Sequence, residues 1–573
     1  MGSVDKGLPL AEFKTIRFEH LPDSQTICLT LQIYSLFLNR ANFPAIFFVV
    51  LVLFLIVLTV FARVARTGSY FSAPKFGLLM VYYYLCSRLF EWSKAKMIEN
   101  KIQTPSPITR KMDTTQLYEL YREHPQITTD SRDCPEGSIF IALKGESFDG
   151  NQFAIGALDK GCAYAIIDDA DIYGAQSAAY GERLILVPDC VQALKDIARE
   201  HRRQFNIPVI AITGTNGKTT TKELIAAVLQ KKYRVLYTQG NYNNDVGVPK
   251  TLLRLTADHD IAVIEMGASH PGDIRTLAET AEPTCGLITN VGRAHLAGFG
   301  TLKNVAKTKG ELYDYLGRRG ETLIFVNADN ERLVDMLPDN VWVAPYSANA
   351  ANAEGCTCGE VTGASPFVSF RWRESDSNLE ERGAGVEWYD VQTQLIGTYN
   401  IDNLMAAVAV GLNFAVSPED INAALAAYRP SNNRSQLTIT EHNHLVVDAY
   451  NANPTSMRAA LENFRQMNVC RKMAILGQMG ELGTSSRKEH QKIVDMLIQM
   501  TNDEAVGFVS KGNNMAADVW LVGDEYADID CPFRKFHNVE EVKAAIAATP
   551  PQDLYILIKG SNAVRLFELP PLL

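Results

Sequence analysis

Apolar runs alternate with amphipathic ones along most of this chain, and the alternation predicts strands followed by helices. Val209–Ile212 is wholly apolar and three of its four residues are β-branched, as in a buried strand. The run KELIAAVLQ that soon follows has helical spacing. Ile261–Met266 reads as a second strand, Val305–Leu316 as a helix, and Leu445–Asp448, Met473–Leu476 and Leu554–Ile558 as later strands. Strands alternating with helices imply mainly parallel sheets, an α/β protein. The pattern divides residues 112–573 into three units, 112–200, 201–432 and 433–573. Ala348–Gly385 is polar and glycine-rich and reads as a loop or hairpin excursion. No internal repeat is visible.

The first 111 residues differ. Ala45–Ala62 is 18 residues without a charge, and with Pro44 it predicts a transmembrane helix over 44–62. Arg63, Arg66 and Lys75 follow it closely while Arg40 alone closely precedes it, so the positive-inside rule places the rest of the chain in the cytoplasm, tethered to the inner membrane face. A buried core helix is the competing explanation. Phe76–Cys86 is too short to span. Lys94–Lys111 is a polar linker, and 1–111 carries no recognisable chemistry.

The chain is 47% hydrophobic and 21% charged, which is ordinary for a globular protein. A net charge of −10 argues against a general nucleic-acid binder, because no broad basic face is available to release counterions. The ten cysteines form no disulfide or zinc framework. Cys356 and Cys358 stand too close together and have no second pair, so all ten are read as reduced thiols.

Chemistry concentrates after the strand at Val209. Gly214, Thr215, Asn216, Gly217, Lys218, Thr219 and Thr220 form a glycine-rich turn that opens a helix. Such a turn cradles phosphates with backbone N–H groups and a helix N-terminus. Lys218 would neutralise β/γ oxygens and the Thr219 hydroxyl could sit on Mg²⁺. The spacing departs from the usual G-x-x-x-x-G-K-[ST], whose first glycine would fall at Ile212. Glu265 ends the next strand, where a carboxylate beside such a loop is well placed to hold the metal.

GTNGKTT in this setting resembles the nucleotide loop of the Mur ligase family. Further segments extend the resemblance over about four-fifths of the chain: TDSR at 129–132, Asn290 through His295, Lys309, Asn400 with Asn403, Arg434, DAYNANPTSM at 448–457 and KGSN at 559–562. The resemblance implies a three-domain Mur ligase architecture, with a central P-loop ATPase domain and a Rossmann-like C-terminal domain. It also implies ATP and two Mg²⁺. His295 and Lys309 would lie at the second metal, with Lys309 carbamoylated by CO₂ into an anionic oxygen ligand. Asn400 and Asn403 would lie near the adenine, and Arg434 and Asp448 would contact ATP. Ser131 and Arg132 would meet the uridine nucleotide. Asn453, Lys559 and Ser561 would hold peptide substrate.

The NANPTSM segment is most like the D-alanyl-D-alanine-adding member, so the implied substrates are UDP-N-acetylmuramoyl-tripeptide and D-alanyl-D-alanine. Two positions depart from the family pattern: Asn151, where relatives often carry His, and Gln478, where Asp is usual. Met112 also reads like the natural beginning of such a ligase. Each residue alone has an ordinary alternative: a solvated helix face for Lys309, a loop imidazole for His295, helix capping for Asn400. Other Mur-type ligases, a folylpolyglutamate synthetase and a membrane-tethered P-loop ATPase stay open at this level.

Overall fold

The computed structural model describes residues 112–573 except 146, 378, 379, 381–384, 431–433, 470, 504, 505 and 509–517. The predicted span 44–62 and the stretch 76–86 lie outside the described residues. Among the described residues, no helix is long and apolar enough to cross a membrane.

Three sheets follow one another along the chain. The first is all parallel: β1 (Ile127–Thr128), β2 (Ile139–Ile141), β3 (Tyr164–Ile167) and β4 (Leu184–Leu186), in that order. Asn151 is 1% exposed and acts as a brace here. Its amide nitrogen donates to Asp149 (2.7 Å) and Asp168 (2.9 Å), and its carbonyl oxygen accepts from the Asp168 backbone at 3.0 Å.

The central sheet has nine strands: β5 (Val209–Thr213), β6 (Val235–Tyr237), β7 (Ile261–Glu265), β8 (Cys285–Ile288), β9 (Leu323–Asn327), β10 (Trp342–Ser347), β11 (Thr357–Ala364), β12 (Phe367–Arg373) and β13 (Tyr389–Ile396). Their order is β13-β12-β11-β10-β9-β8-β5-β7-β6, parallel except that β12 runs against both neighbours. The chain winds outward from β5 to β6, returns to β7, then crosses to β8 on the other side. The C-terminal edge of β5 is therefore the switch point where open α/β sheets bind ligands. Ile210 and Ile212 are fully buried, each contributing roughly 1.5–3 kcal/mol.

Within the polar stretch 348–385 the structure has the hairpin expected there, β11 paired antiparallel with β12, but built into the central sheet, which it widens. In β12, Val368, Phe370 and Trp372 alternate inward, and the Trp372 indole N–H donates to Asn422 at 2.8 Å.

The third sheet orders β14 (Gln436–Ile439), β15 (Asn443–Asp448), β19 (Leu554–Lys559), β16 (Lys472–Gly477), β17 (Val519–Val522) and β18 (Arg534–Phe536); only β14 is antiparallel. Insertion of β19 between β15 and β16 puts Asp448 and Lys559 side by side at the strand ends. Cysteines 134, 162, 190, 285, 356, 358 and 531 are free thiols.

Candidate active site

Two glycines shape the turn after β5. Gly214 has φ +143°, and a Cβ there would lie 2.0 Å from Thr289 Oγ1. Gly217 has φ +80°, and a Cβ would lie 2.5 Å from Asn403 Oδ1. Both positions combine a left-handed backbone with close approach, so glycine alone fits. The segment after β8 braces the loop: Thr215 N donates to Asn290 O (2.9 Å), Asn216 N to Asn290 Oδ1 (3.0 Å), and Thr289 Oγ1 to Asn216 O (2.6 Å). Lys218 opens the helix Lys218–Leu229, and its Nζ donates to the carbonyls of Gly214 (2.8 Å) and Thr215 (3.1 Å). Burial lowers its pKa, an effect that Glu265 opposes and Arg434 reinforces.

Glu265, 1% exposed at the end of β7, accepts from Thr219 Oγ1 at 2.9 Å and from Asn243 Nδ2 at 2.8 Å. Among the described residues no three His, Cys, Asp or Glu side chains cluster as a ready-made metal site. Thr219 with Glu265 nevertheless suits Mg²⁺, which binds through one or two carboxylates, a hydroxyl and substrate phosphates rather than an all-protein cage. Asn243 belongs to the run Asn241-Tyr-Asn-Asn-Asp245. That cluster of asparagines just past a short strand is the local sign of a site residue, though it belongs to none of the motifs from Gly214 to Asn562.

The third sheet supplies the facing wall. The Arg434 guanidinium stacks on Tyr450, 4.0 Å from the ring centre, and its Nε is buried without a hydrogen bond. Lys559, 1% exposed, pairs with Asp448 at 2.5 Å. Asn453 caps the helix Pro454–Gln466 and its Nδ2 reaches across to Asn216 Oδ1 at 2.7 Å. Between the walls lies a cleft of about 710 Å³. Its lining includes Thr215, Asn216, Gly217, Lys218 and Thr220 of the glycine-rich turn, Asn241, Asn243 and Asn244, Glu265, His295, Tyr399, Asn400, Asn403, Arg434, Asp448, Tyr450, Asn451, Asn453 and Lys559.

Other predicted residues stand differently. Lys309 lies in the helix Leu302–Arg319, 2% exposed, with its Nζ 5.9 Å from the centre of the Phe299 ring; Lys307, two positions away, is exposed. Burial first, and the charge of Lys218 second, push the Lys309 pKa well below the usual lysine value. His295 Nδ1 lies 2.5 Å from Glu481 Oε2, an ion-pair contact without hydrogen-bond alignment, and the histidine holds the Glu481 carboxyl below the usual range.

Asn400 does not cap its helix through its side chain. Its Nδ2 donates to Ile396 O (2.8 Å) and its Oδ1 accepts from Asn403 Nδ2 (2.8 Å), while Asn403 Oδ1 accepts from Thr221. Both amides are thus largely engaged in shaping the floor. Ser131 and Arg132 are not among the cleft-lining residues. Arg132 is exposed and forked onto its neighbour Asp130 at 2.7 and 2.9 Å. Ser561 is 7% exposed, and its N–H donates to Gln478 O at 3.2 Å, behind the lining residues. Gln478 itself accepts through Oε1 from the Glu525 backbone at 3.2 Å.

Three family profiles match in succession: "Mur ligase family, catalytic domain" over 125–202, "Mur ligase middle domain" over 212–411 and "Mur ligase, glutamate ligase domain" over 433–562. The chain is 33% identical over 449 residues to the UDP-N-acetylmuramoyl-tripeptide–D-alanyl-D-alanine ligase of Escherichia coli, covering 77% of this chain and 92% of that protein. It is 33% identical over 453 residues to the ligase of the same name from Synechocystis, covering 77% and 90%. Among solved structures, MurF from Acinetobacter baumannii superimposes with a TM-score of 0.67 at 28% identity, covering 80% of this chain and 97% of that one. MurF from Thermotoga maritima in complex with ADP gives 0.65 at 25%, covering 80% and 98%. The chain belongs to the Mur ligase family.

Proposed function

We infer that this chain is an ATP-dependent amide ligase that adds D-alanyl-D-alanine to UDP-N-acetylmuramoyl-tripeptide in peptidoglycan precursor synthesis. The observation that carries this reading is the cleft itself. A phosphate-binding turn on one sheet faces Arg434, Asp448 and Lys559 on another, in a chain that aligns with such ligases over most of their length.

The reaction joins a carboxylate to an amine. The terminal carboxylate of the tripeptide attacks the γ-phosphate, ADP departs, and the amine of the dipeptide displaces phosphate from the acyl phosphate. Little covalent work falls to the protein, so its residues orient reactants and neutralise charge. The N–H groups of the 214–217 turn and the N-terminus of the following helix hold phosphate oxygens. Lys218, pinned to two carbonyls of its own turn, presents a fixed ammonium to the transferring group. Thr219 and Glu265 would hold Mg²⁺, which supplies further neutralisation of phosphate charge.

Lys309 and His295 would serve a second Mg²⁺. An amine buried and driven towards its neutral form is the form that reacts with CO₂, and the carbamate would give a hard cation two oxygens. Arg434, held flat on Tyr450, and Asp448 contact ATP, while Asn400 and Asn403 shape the adenine pocket. Asn453, Lys559 and Ser561 serve the peptide. Arg132 and Ser131 bind the uridine nucleotide, and Arg132 releases Asp130 to do so. The segment 44–62 tethers this cytoplasmic chemistry to the membrane, so the full chain fractionates with membranes.

The decisive assay supplies ATP, UDP-N-acetylmuramoyl-tripeptide and a panel of amines, and reads product mass. A product heavier by one D-Ala-D-Ala, with ADP release dependent on the dipeptide, is expected. Hydrolysis of ATP indifferent to any acceptor, or ligation of a single amino acid instead, would overturn the assignment.

A further inference from the structure

The loop 292–297 leaves β8 and crosses from the central sheet to the third sheet, and it is bonded at both ends. On the nucleotide side, Gly292 N donates to Thr215 Oγ1 at 2.9 Å and Thr215 Oγ1 donates back to Gly292 O at 3.3 Å. On the other side, Arg293 N donates to Thr455 Oγ1 (3.1 Å), Ala297 N donates to Glu481 O (3.0 Å), and His295 Nδ1 meets the Glu481 carboxylate (2.5 Å). Arg293 also approaches Glu489 at 3.9 Å, a carboxylate only 3% exposed.

Two backbones in this junction are unusual. His295 has φ +51° and Glu481 has φ +61°, both left-handed without being glycine. Such conformations persist where surrounding contacts over-determine them, and they concentrate at sites where geometry has a use. Here the two strained residues are each other's partners across the junction. A carboxylate against one ring nitrogen of a histidine also restrains the ring, and His295 itself lines the cleft.

We propose that Glu481 is a positioning residue: its carboxylate clasps His295, locks the 292–297 loop as a strut between the glycine-rich turn and the C-terminal domain, and so stabilises the closed arrangement in which the two walls of the cleft meet. Glu481 touches no reacting atom in this scheme. It acts through His295 and through the orientation of the wall that carries Arg434 and Lys559. The inference rests on the ligase reading given above.

The left-handed backbone at 481 gives a discriminating set of variants. Glu481→Gly keeps the backbone comfortable and removes the carboxylate. Glu481→Ala removes the carboxylate and strains the backbone. Glu481→Gln keeps a polar group against the imidazole but removes the charge. Each is assayed in the full chain for kcat and KM. Closure is read separately, as the distance between spin labels on the central and C-terminal domains with and without a non-hydrolysable ATP analogue.

Glu481→Gly is expected to lose at least tenfold in kcat, with KM for ATP within about threefold of wild type, and to lose most of the nucleotide-induced shortening of the label distance. Glu481→Gln should recover part of both. A Glu481→Gly protein with wild-type kcat and wild-type closure would overturn the proposal. So would loss only in Glu481→Ala, which would show that backbone shape alone matters. If wild type itself fails to ligate, it is the function assignment that falls, and the label distances still test the clasp.

Discussion

The pair Asp448–Lys559 offers a prediction whose size follows from the geometry. Lys559 is 1% exposed, and among the described residues its Nζ has as polar partners Asp448 and, at 3.4 Å, the Asn451 carbonyl. Asp448 is less deeply placed, its side chain 17% exposed. Removing one member of a buried pair costs about 3–5 kcal/mol because a charge is left without a partner in low dielectric, whereas replacing both by neutral groups of similar shape is close to neutral. The two single changes are therefore unequal. Asp448→Asn strands the more buried ammonium and should cost the full amount, about 3–5 kcal/mol. Lys559→Met leaves a carboxylate that water reaches, so its cost should be smaller, roughly 1–3 kcal/mol. The double variant should be more stable than Asp448→Asn alone.

At about 2–4 °C per kcal/mol, Asp448→Asn should melt the C-terminal domain roughly 6–20 °C lower. Hydrogen exchange of the β15 and β19 amides reads that domain separately from the rest, which matters because a three-domain chain need not unfold in one step. The double variant should be folded yet poor in ligation, separating the pair's structural weight from its part at the cleft. Equal costs for the two single variants, or a double variant worse than Asp448→Asn, would refute the reasoning.

Three further expectations concern lysines. Lys218→Ala should lower turnover roughly 10²–10³-fold, the scale of losing one preorganised group at developing charge, and near-normal turnover would remove it from the phosphate site. Lys309→Ala should be nearly inactive and partly restored by acetate, since a short carboxylate can replace the carbamate oxygens; a fully active variant would reduce Lys309 to a buried helix residue. Lys472, 1% exposed and brought down by burial to about 8, titrates lower folded than unfolded, where the reference is 10.5. The native state then binds fewer protons between those values, so the burial cost is present below pH 8 and relieved as pH rises towards 10.5. Wild type should gain on Lys472→Met by up to roughly 3 kcal/mol over that window, read by urea unfolding at each pH. A flat difference would contradict it.

What could be read along the chain and what could not divide on physical grounds. β5, β7, β15, β16 and β19 announce themselves because strands buried on both faces must be continuously apolar. β12 hides because it alternates, FVSFRWR, inside a stretch of polar composition; its buried Trp372 becomes visible only once β11 and β13 flank it. The turn from Gly214 to Thr220 and its helix are contiguous, so their chemistry shows in one glance. Glu481 and Asn243 act through partners 186 and 22 positions away, His295 and Glu265. No local pattern encodes such a pairing. Asn151 shows the opposite limit: a departure from the family pattern, left without a role at the sequence level, turns out to brace Asp149 and Asp168.

The unusual spacing of the nucleotide turn has a similar explanation. The commoner pattern would require glycine at 212, but Ile212 is a fully buried residue of β5, paired with Glu265 of β7 and Leu287 of β8. Strand β5 continues to Thr213, whose hydroxyl donates to Met266 O at 2.9 Å, so the turn cannot begin earlier. The chain instead reverses within Gly214–Gly217, with a left-handed glycine at each end. That shorter turn brings Thr219 onto Glu265 directly, and it leaves Asn216 free to reach Asn453 on the facing domain. A cradle built this way is tied to the opposite wall by its own residues. Lengthening the turn to the commoner spacing should therefore weaken domain closure as well as phosphate binding, because the Asn216–Asn453 contact would lose its register.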